Sequence, residues 1–235
     1  MVLLHGAIIA GSYMVPVGDA LSRQHAVYGP DLPGMGRSRR LEAPASIAAL
    51  ADAVAAWVAE EGLPPVALVG NSLGCQVAVE VAVRHRDRVA ALILIGPTVD
   101  PLGKSPIRLL ARSIGVALSE PPQLHVTWLR DLGRAGPVTA LRVLSASLRH
   151  AIEEALPEVA VPTLVIRGRR DRLVSQEFVE AAARILPQGS LAAVEGAGHA
   201  AHYSRPERVA ALITAFLAGV NEPPGSPAAQ LPPRR

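Results

Sequence analysis

A chain of 235 residues, half of them hydrophobic, is long enough to bury one full core. Its net charge is only +3 and its aromatic content three per cent, with basic residues scattered, so it lacks the stacking platforms and phosphate-tracking stripe of a nucleic-acid binder. No apolar run reaches the roughly 18 residues that span a bilayer, and one cysteine excludes an internal disulfide framework and suits a cytoplasmic protein.

The chain opens on a short apolar run, Val2-Leu3-Leu4, that stops at His5-Gly6. No basic residue precedes it and Gly6 and Gly11 soon break it, which is not the pattern of a secretory leader. A second run, Ala26-Val27-Tyr28, ends at Gly29-Pro30-Asp31. Apolar residues at helical spacing predict a helix over Ile47 to Glu61. Val66 to Val69 is predicted as a buried strand, Cys75 to Arg84 as a helix, and Leu92 to Ile95 as a strand ending at Gly96-Pro97. The alternation then breaks. Residues 100–156 hold helical segments, including Pro106 to Ala117 and Val138 to Glu154, but no clear strand, and are expected to form a small helical cap over the strand ends. Strands resume at Leu164-Val165-Ile166 and Leu191 to Val194, followed by helices over Gln176 to Leu186 and Arg205 to Leu217. Residues 221–235, rich in Pro, Gly, Ser and Ala, are expected to be a disordered tail. Continuous apolar strands alternating with helices predict an α/β class, with a mostly parallel, doubly wound sheet covered on both faces. Residues 1–99 and 157–220 would form that core, and its ligands would bind at the carboxyl ends of the strands.

Gly70-Asn71-Ser72-Leu73-Gly74 lies between a predicted strand and a predicted helix. A G-x-S-x-G turn there lifts a serine hydroxyl clear of the backbone, and the small flanking residues avoid a clash across the turn. Ser72 is therefore the candidate nucleophile. It needs a base to take its proton and an acid to orient that base. His199, in Glu195-Gly196-Ala197-Gly198-His199 at the exit of the last strand, is favoured as the base over His202, which sits nearer the following helix. Asp171, beyond the Leu164 to Ile166 strand, is favoured as the acid; Asp100, after the Gly96-Pro97 strand end, is the alternative. The order Ser72, Asp171, His199 is the order of a nucleophile-elbow site. Oxyanion donors would be the amide of Leu73, at a helix N-terminus, and that of Ala7, after His5-Gly6. Cys75 reads as a packing residue.

His5-Gly6, Asp31-Leu32-Pro33-Gly34-Met35-Gly36-Arg37-Ser38, Gly70 to Gly74, Gly168 to Asp171 and Gly196 to His199, in that order, resemble the α/β-hydrolase superfamily from Met1 to about Gly219. The resemblance implies a cap after the sixth family strand, where residues 100–156 fall, and a structural role for the Asp31 to Ser38 turn. It also implies two strands ahead of His-Gly, where this sequence begins at what would be the third; either the start lies further upstream or that edge is absent, and in the second case Ala26 to Tyr28 would be an exposed sheet edge. With serine at the elbow, it implies a hydrolase of small acyl substrates: an esterase or thioesterase, with the meta-cleavage C–C hydrolases as alternative. A non-catalytic or slow ligand-binding protein on the same fold is the reading from another class.

Gly196-Ala197-Gly198-His199-Ala200-Ala201 also matches a dinucleotide fingerprint, but no later strand completes a βαβ unit and no acid follows at the ribose spacing. No His, Cys or Asp cluster has metal-ligand spacing. Neither cofactor nor metal is expected. Tyr13, Met14 and Trp128 are candidates to line an acyl pocket. The arginines at 108, 112, 130, 134, 142 and 149 are read as a solvated helical face.

Overall fold

A computed structural model describes residues 1–39, 46–98, 115–116 and 120–221. Asp100, the arginines at 108 and 112, the tail beyond residue 221 and, apart from residues 115–116, the predicted helix over Pro106 to Ala117 lie outside them.

Five parallel strands form one sheet in the order β1-β2-β3-β4-β5: Val2–Leu4, Val66–Asn71, Val89–Ile95, Thr163–Gly168 and Gly189–Val194. Helices follow as α1 (Val15–Leu21), α2 (Ile47–Glu60), α3 (Leu73–Arg84), α4 (Pro122–Ala135), α5 (Pro137–Arg149), α6 (Ile152–Ala155), α7 (Gln176–Ile185), α8 (Ala201–Ser204) and α9 (Pro206–Asn221). Serine side chains start two of them: Ser46 accepts from the Ala49 amide ahead of α2, and Ser175 from the Phe178 amide ahead of α7.

The central strands are apolar on both faces because both faces are covered. Leu68, Leu92 and Leu94 join one buried layer with α2, α3 and α7; Val69, Ile93 and Ile95 join the other with α1 and α9. Each such side chain contributes about 1.5–3 kcal/mol relative to exposure. Register aligns Leu4 with Gly70, Asn71 with Ile95 and Ile95 with Ile166, so the strands end together. The loops carrying His5, Ser72, Thr98, Asp171 and His199 therefore leave the same edge of the sheet.

Several elements differ from the sequence reading. Ala26 to Tyr28 is no full strand but a single bridge, Val2 to Tyr28, closed by hydrogen bonds from Leu3 N to Tyr28 O and from Tyr28 N to Met1 O. Pro30 has no N–H with which to continue a ladder. The helix predicted over Val138 to Glu154 breaks at His150, which is extended (φ −82°, ψ 123°) and whose Nε2 meets Glu80 Oε1 of α3 at 2.9 Å. Helices α1 and α4 and the short α8 were not predicted at all. Pro121-Pro122 looks like a breaker, yet Pro122 opens the helix, where its missing N–H has no intrahelical partner to lose.

Candidate active site

The serine turn is built by steric exclusion. A Cβ on Gly70 would stand 2.4 Å from the Gly74 carbonyl carbon, and one on Gly74 would stand 2.2 Å from the Leu4 carbonyl oxygen. Only glycine permits so tight a crossing of strand, helix and β1. Ser72 itself is forced to φ 55°, ψ −116°, a conformation non-glycine residues rarely adopt. Ile8, in the loop after β1, is the other non-glycine residue with positive φ (62°) among the described residues. That loop lies against the turn: a Cβ on Gly6 would be 3.5 Å from Ser72 Cβ. Ala7 thus follows a residue packed on Ser72, and Leu73 is the first residue of α3, whose N–H has no intrahelical acceptor.

The loop after β1 is held from two sides. His5, fully buried, donates from Nδ1 to Gly6 O (2.9 Å) and accepts at Nε2 from Leu32 N–H (2.8 Å), a neutral tautomer that burial favours by lowering its pKa. Asp31 accepts from the amides of Gly11 (2.6 Å) and Arg37 (2.8 Å). From α4, buried Asp131 accepts from the Ala10 amide at 3.0 Å.

Across the strand ends, Asp171 Oδ2 stands 2.9 Å from His199 Nδ1, while its Oδ1 accepts from the amides of Leu173 (2.8 Å) and Val174 (3.1 Å). Burial pushes the Asp171 pKa up, but the His199 charge, the His199 hydrogen bond and the two amides outweigh it and hold the carboxyl below its ordinary range. For His199, burial pulls down; the Asp171 carboxylate and hydrogen bond, with Glu120, prevail and leave the pKa raised. With Nδ1–H donated to Asp171, the free tautomer presents a lone pair at Nε2, a buried atom with no partner among the described residues. The ring rests on Gly96 (φ 56°), where a Cβ would come within 3.0 Å of both Nδ1 and Cε1.

Of the sequence candidates, the structure brings Asp171 and His199 into contact and sets Ser72 on the same strand ends. No hydrogen bond joins Ser72 to His199: Ser72 Oγ lies 3.4 Å from Thr98 Oγ1, and Asn71 donates from its side-chain Nδ2 to the His199 carbonyl at 3.4 Å. Serine–histidine bonds of this kind commonly tighten only in the substrate complex. Cys75 is buried, its thiol held well up by burial and its Sγ 3.2 Å from Gly70 O. Among the described residues no group of three His, Cys, Asp or Glu is placed to hold a metal ion. A cleft of about 510 Å³, bordered by Ser12, Asp31, Arg37 and Arg130, opens elsewhere and touches none of Ser72, Asp171 and His199.

Two neighbours went unread in the sequence. Thr98, buried beside Ser72, had no signal beyond its place after a strand end. Glu120 is buried and accepts from the Ala200 amide at 2.9 Å, next to His199, while its Oε2 has no partner among the described residues. Burial raises its pKa against the pull of that amide and of His199.

His202 is also fully buried, edge-on to Tyr13 with ring centroids 4.3 Å apart, and both its nitrogens lack partners among the described residues. Burial, then the His199 charge, lowers its pKa to about 3. It stays neutral when the unfolded chain, titrating near the ordinary value of about 6.5, takes up a proton. Stability from this residue is therefore present above about pH 6.5 and falls by about 1.4 kcal/mol for each pH unit below it. His202→Leu should keep ester turnover and show a smaller drop in Tm between about pH 7 and pH 5 than the wild type. Loss of turnover would move the base role toward His202.

Residues 1–212 match the model of the alpha/beta hydrolase family. The pimeloyl-[acyl-carrier protein] methyl ester esterase of Stenotrophomonas maltophilia is 28% identical over 96% of this chain and 95% of its own. That of Neisseria meningitidis is 31% identical over 86% and 72%. Among solved structures, a thermophilic esterase from Thermogutta terrifontis superposes with a TM-score of 0.80 and 27% identity, covering 94% of this chain and 90% of its own. A family match over most of the length, on a parallel sheet with a strained serine turn, means that the chain belongs to the alpha/beta hydrolase family and is a hydrolase.

Proposed function

We propose that the protein cleaves carboxylic esters through an acyl-enzyme formed on Ser72. The observation that carries this reading is the 2.9 Å Asp171–His199 contact at the strand ends that also hold the strained Ser72 turn. His199 Nε2 takes the Ser72 proton as Oγ attacks the ester carbonyl. The amides of Leu73 and Ala7 receive the developing oxyanion, aided by the positive end of α3. His199 then protonates the leaving alcohol, and the ester C–O bond breaks. A water, deprotonated by His199, attacks the acyl-enzyme and releases the acid, returning Ser72 to its hydroxyl form. Asp171 holds the imidazole tautomer throughout and stays ionised, as its lowered pKa favours. Residues 100–156 act as the cap that shapes the acyl pocket.

The relatives' names point to methyl esters of acyl chains on a carrier protein as the natural substrate class. A panel of p-nitrophenyl esters, methyl esters of free and carrier-linked acyl chains, acyl thioesters and a meta-cleavage dienoate tests this. Ester turnover should exceed thioester and C–C cleavage, with methyl esters accepted. Preferential cleavage of the dienoate would overturn the ester reading.

A further inference from the structure

Helices α4 and α5 face the wrong way for a solvated pair. The inner side of α5 is small or polar (Thr139, Ala140, Ala146, Ser147), with Val143 the one large apolar residue buried there. Their outer sides carry Val126 (68% exposed), Leu129 (61%), Val138 (56%) and Leu141 (69%), with Trp128 and Leu144 beside them. Six of the eight large apolar side chains exposed among the described residues thus belong to one helical hairpin. Scattered exposed leucines need no explanation; a concentration of this kind does.

The charges on the same hairpin are equally one-sided. Between Pro122 and Arg149 the formally charged residues are Asp131, which is buried on the Ala10 amide and pairs with Arg130 (2.9 Å) and Arg134 (3.8 Å), and the exposed arginines 130, 134, 142 and 149, of which Arg142 and Arg149 on α5 lie outside that pairing. An apolar ridge with a surplus of positive charge, carried chiefly by Arg142 and Arg149, suits a partner that is apolar inside and anionic at its surface. Arginine stems lie along apolar surface while their guanidinium groups reach phosphate. A second copy is the poorer fit, because a two-fold pairing would bring this cationic face against itself.

We infer that the outer face of α4 and α5 docks on anionic phospholipid bilayers, lying in the headgroup region with Val126, Leu129 and Leu141 inserted. No helix among the described residues is long and apolar enough to cross a membrane, so the attachment is peripheral and reversible. It would bring the strand ends close to a surface that concentrates acyl chains, and it does not depend on which ester the site prefers.

The test is co-sedimentation of the full chain with phosphatidylcholine vesicles, with and without phosphatidylglycerol. Wild type should partition onto the phosphatidylglycerol vesicles, far less onto pure phosphatidylcholine, and less as salt rises. Leu129→Ser and Leu141→Ser should each weaken partition on the order of tenfold. Arg142→Gln and Arg149→Gln should each weaken it about fivefold. Far-UV circular dichroism and Tm, unchanged in all four, show that they fold. Failure of the active wild type to partition at low salt overturns the inference, as does undiminished partition of the serine variants. A dimer abolished by the serine variants without vesicle binding would assign the face to a second copy. Binding of a purified acidic carrier protein without vesicle binding would assign it to a protein; either result overturns the lipid reading.

Discussion

Ser72→Ala should lower kcat for p-nitrophenyl esters by about 10⁶-fold, to a level set by the oxyanion donors and binding alone. The size of the effect follows from the role: no other hydroxyl stands at the turn, and Thr98, 3.4 Å away, is a hydroxyl without the helix N-terminus and strained backbone that present Ser72. The substitution removes one oxygen from a residue whose backbone is set by Gly70 and Gly74, so the fold and Tm should hardly move. A variant keeping more than about one per cent of wild-type kcat would remove Ser72 from the chemistry.

Asp171→Asn should lower kcat by about 10⁴-fold, because an asparagine amide cannot enforce the Nδ1–H tautomer that leaves Nε2 free to accept the serine proton. The pH profile carries a second signature. Only neutral His199 serves as base, so kcat/KM of the wild type rises with pH through an imidazole pKa that Asp171 holds above the ordinary value. Removing the carboxylate's charge leaves burial as the main influence, which lowers that pKa. The acid limb of the residual activity should therefore shift to lower pH. Full activity with an unmoved limb would transfer the orienting role to Asp100.

What could be read from the sequence was whatever depends on near neighbours. Gly70 and Gly74 clash with residues four positions away or on the adjoining strand, so the turn declares itself in five letters. The strands β2 to β4 declare themselves because both faces are buried and their central runs are apolar, whereas β5 is only partly buried and was read from the run Leu191 to Val194. Asp171 and His199 were legible for a related reason: each follows such a run directly. Contacts that close over long separations were not legible. Glu120 meets Ala200 across 80 residues, and Asp131 meets Ala10 across 121. Nothing local marks either acid as buried. Helix α4 was lost to a different cause, since a proline at a first helical position and one in a loop look alike in sequence. The single helix read over Val138 to Glu154 failed because His150 answers to Glu80 on α3 and not to its own periodicity.

The most direct measurement is the intact mass of the protein after treatment with a fluorophosphonate, followed by peptide mapping of the adduct. The account predicts one phosphonyl group per chain, carried on Ser72 and absent from Ser72→Ala and from His199→Ala at short times. Folded protein that hydrolyses esters while Ser72 stays unlabelled, or that carries the adduct on another residue, would contradict it.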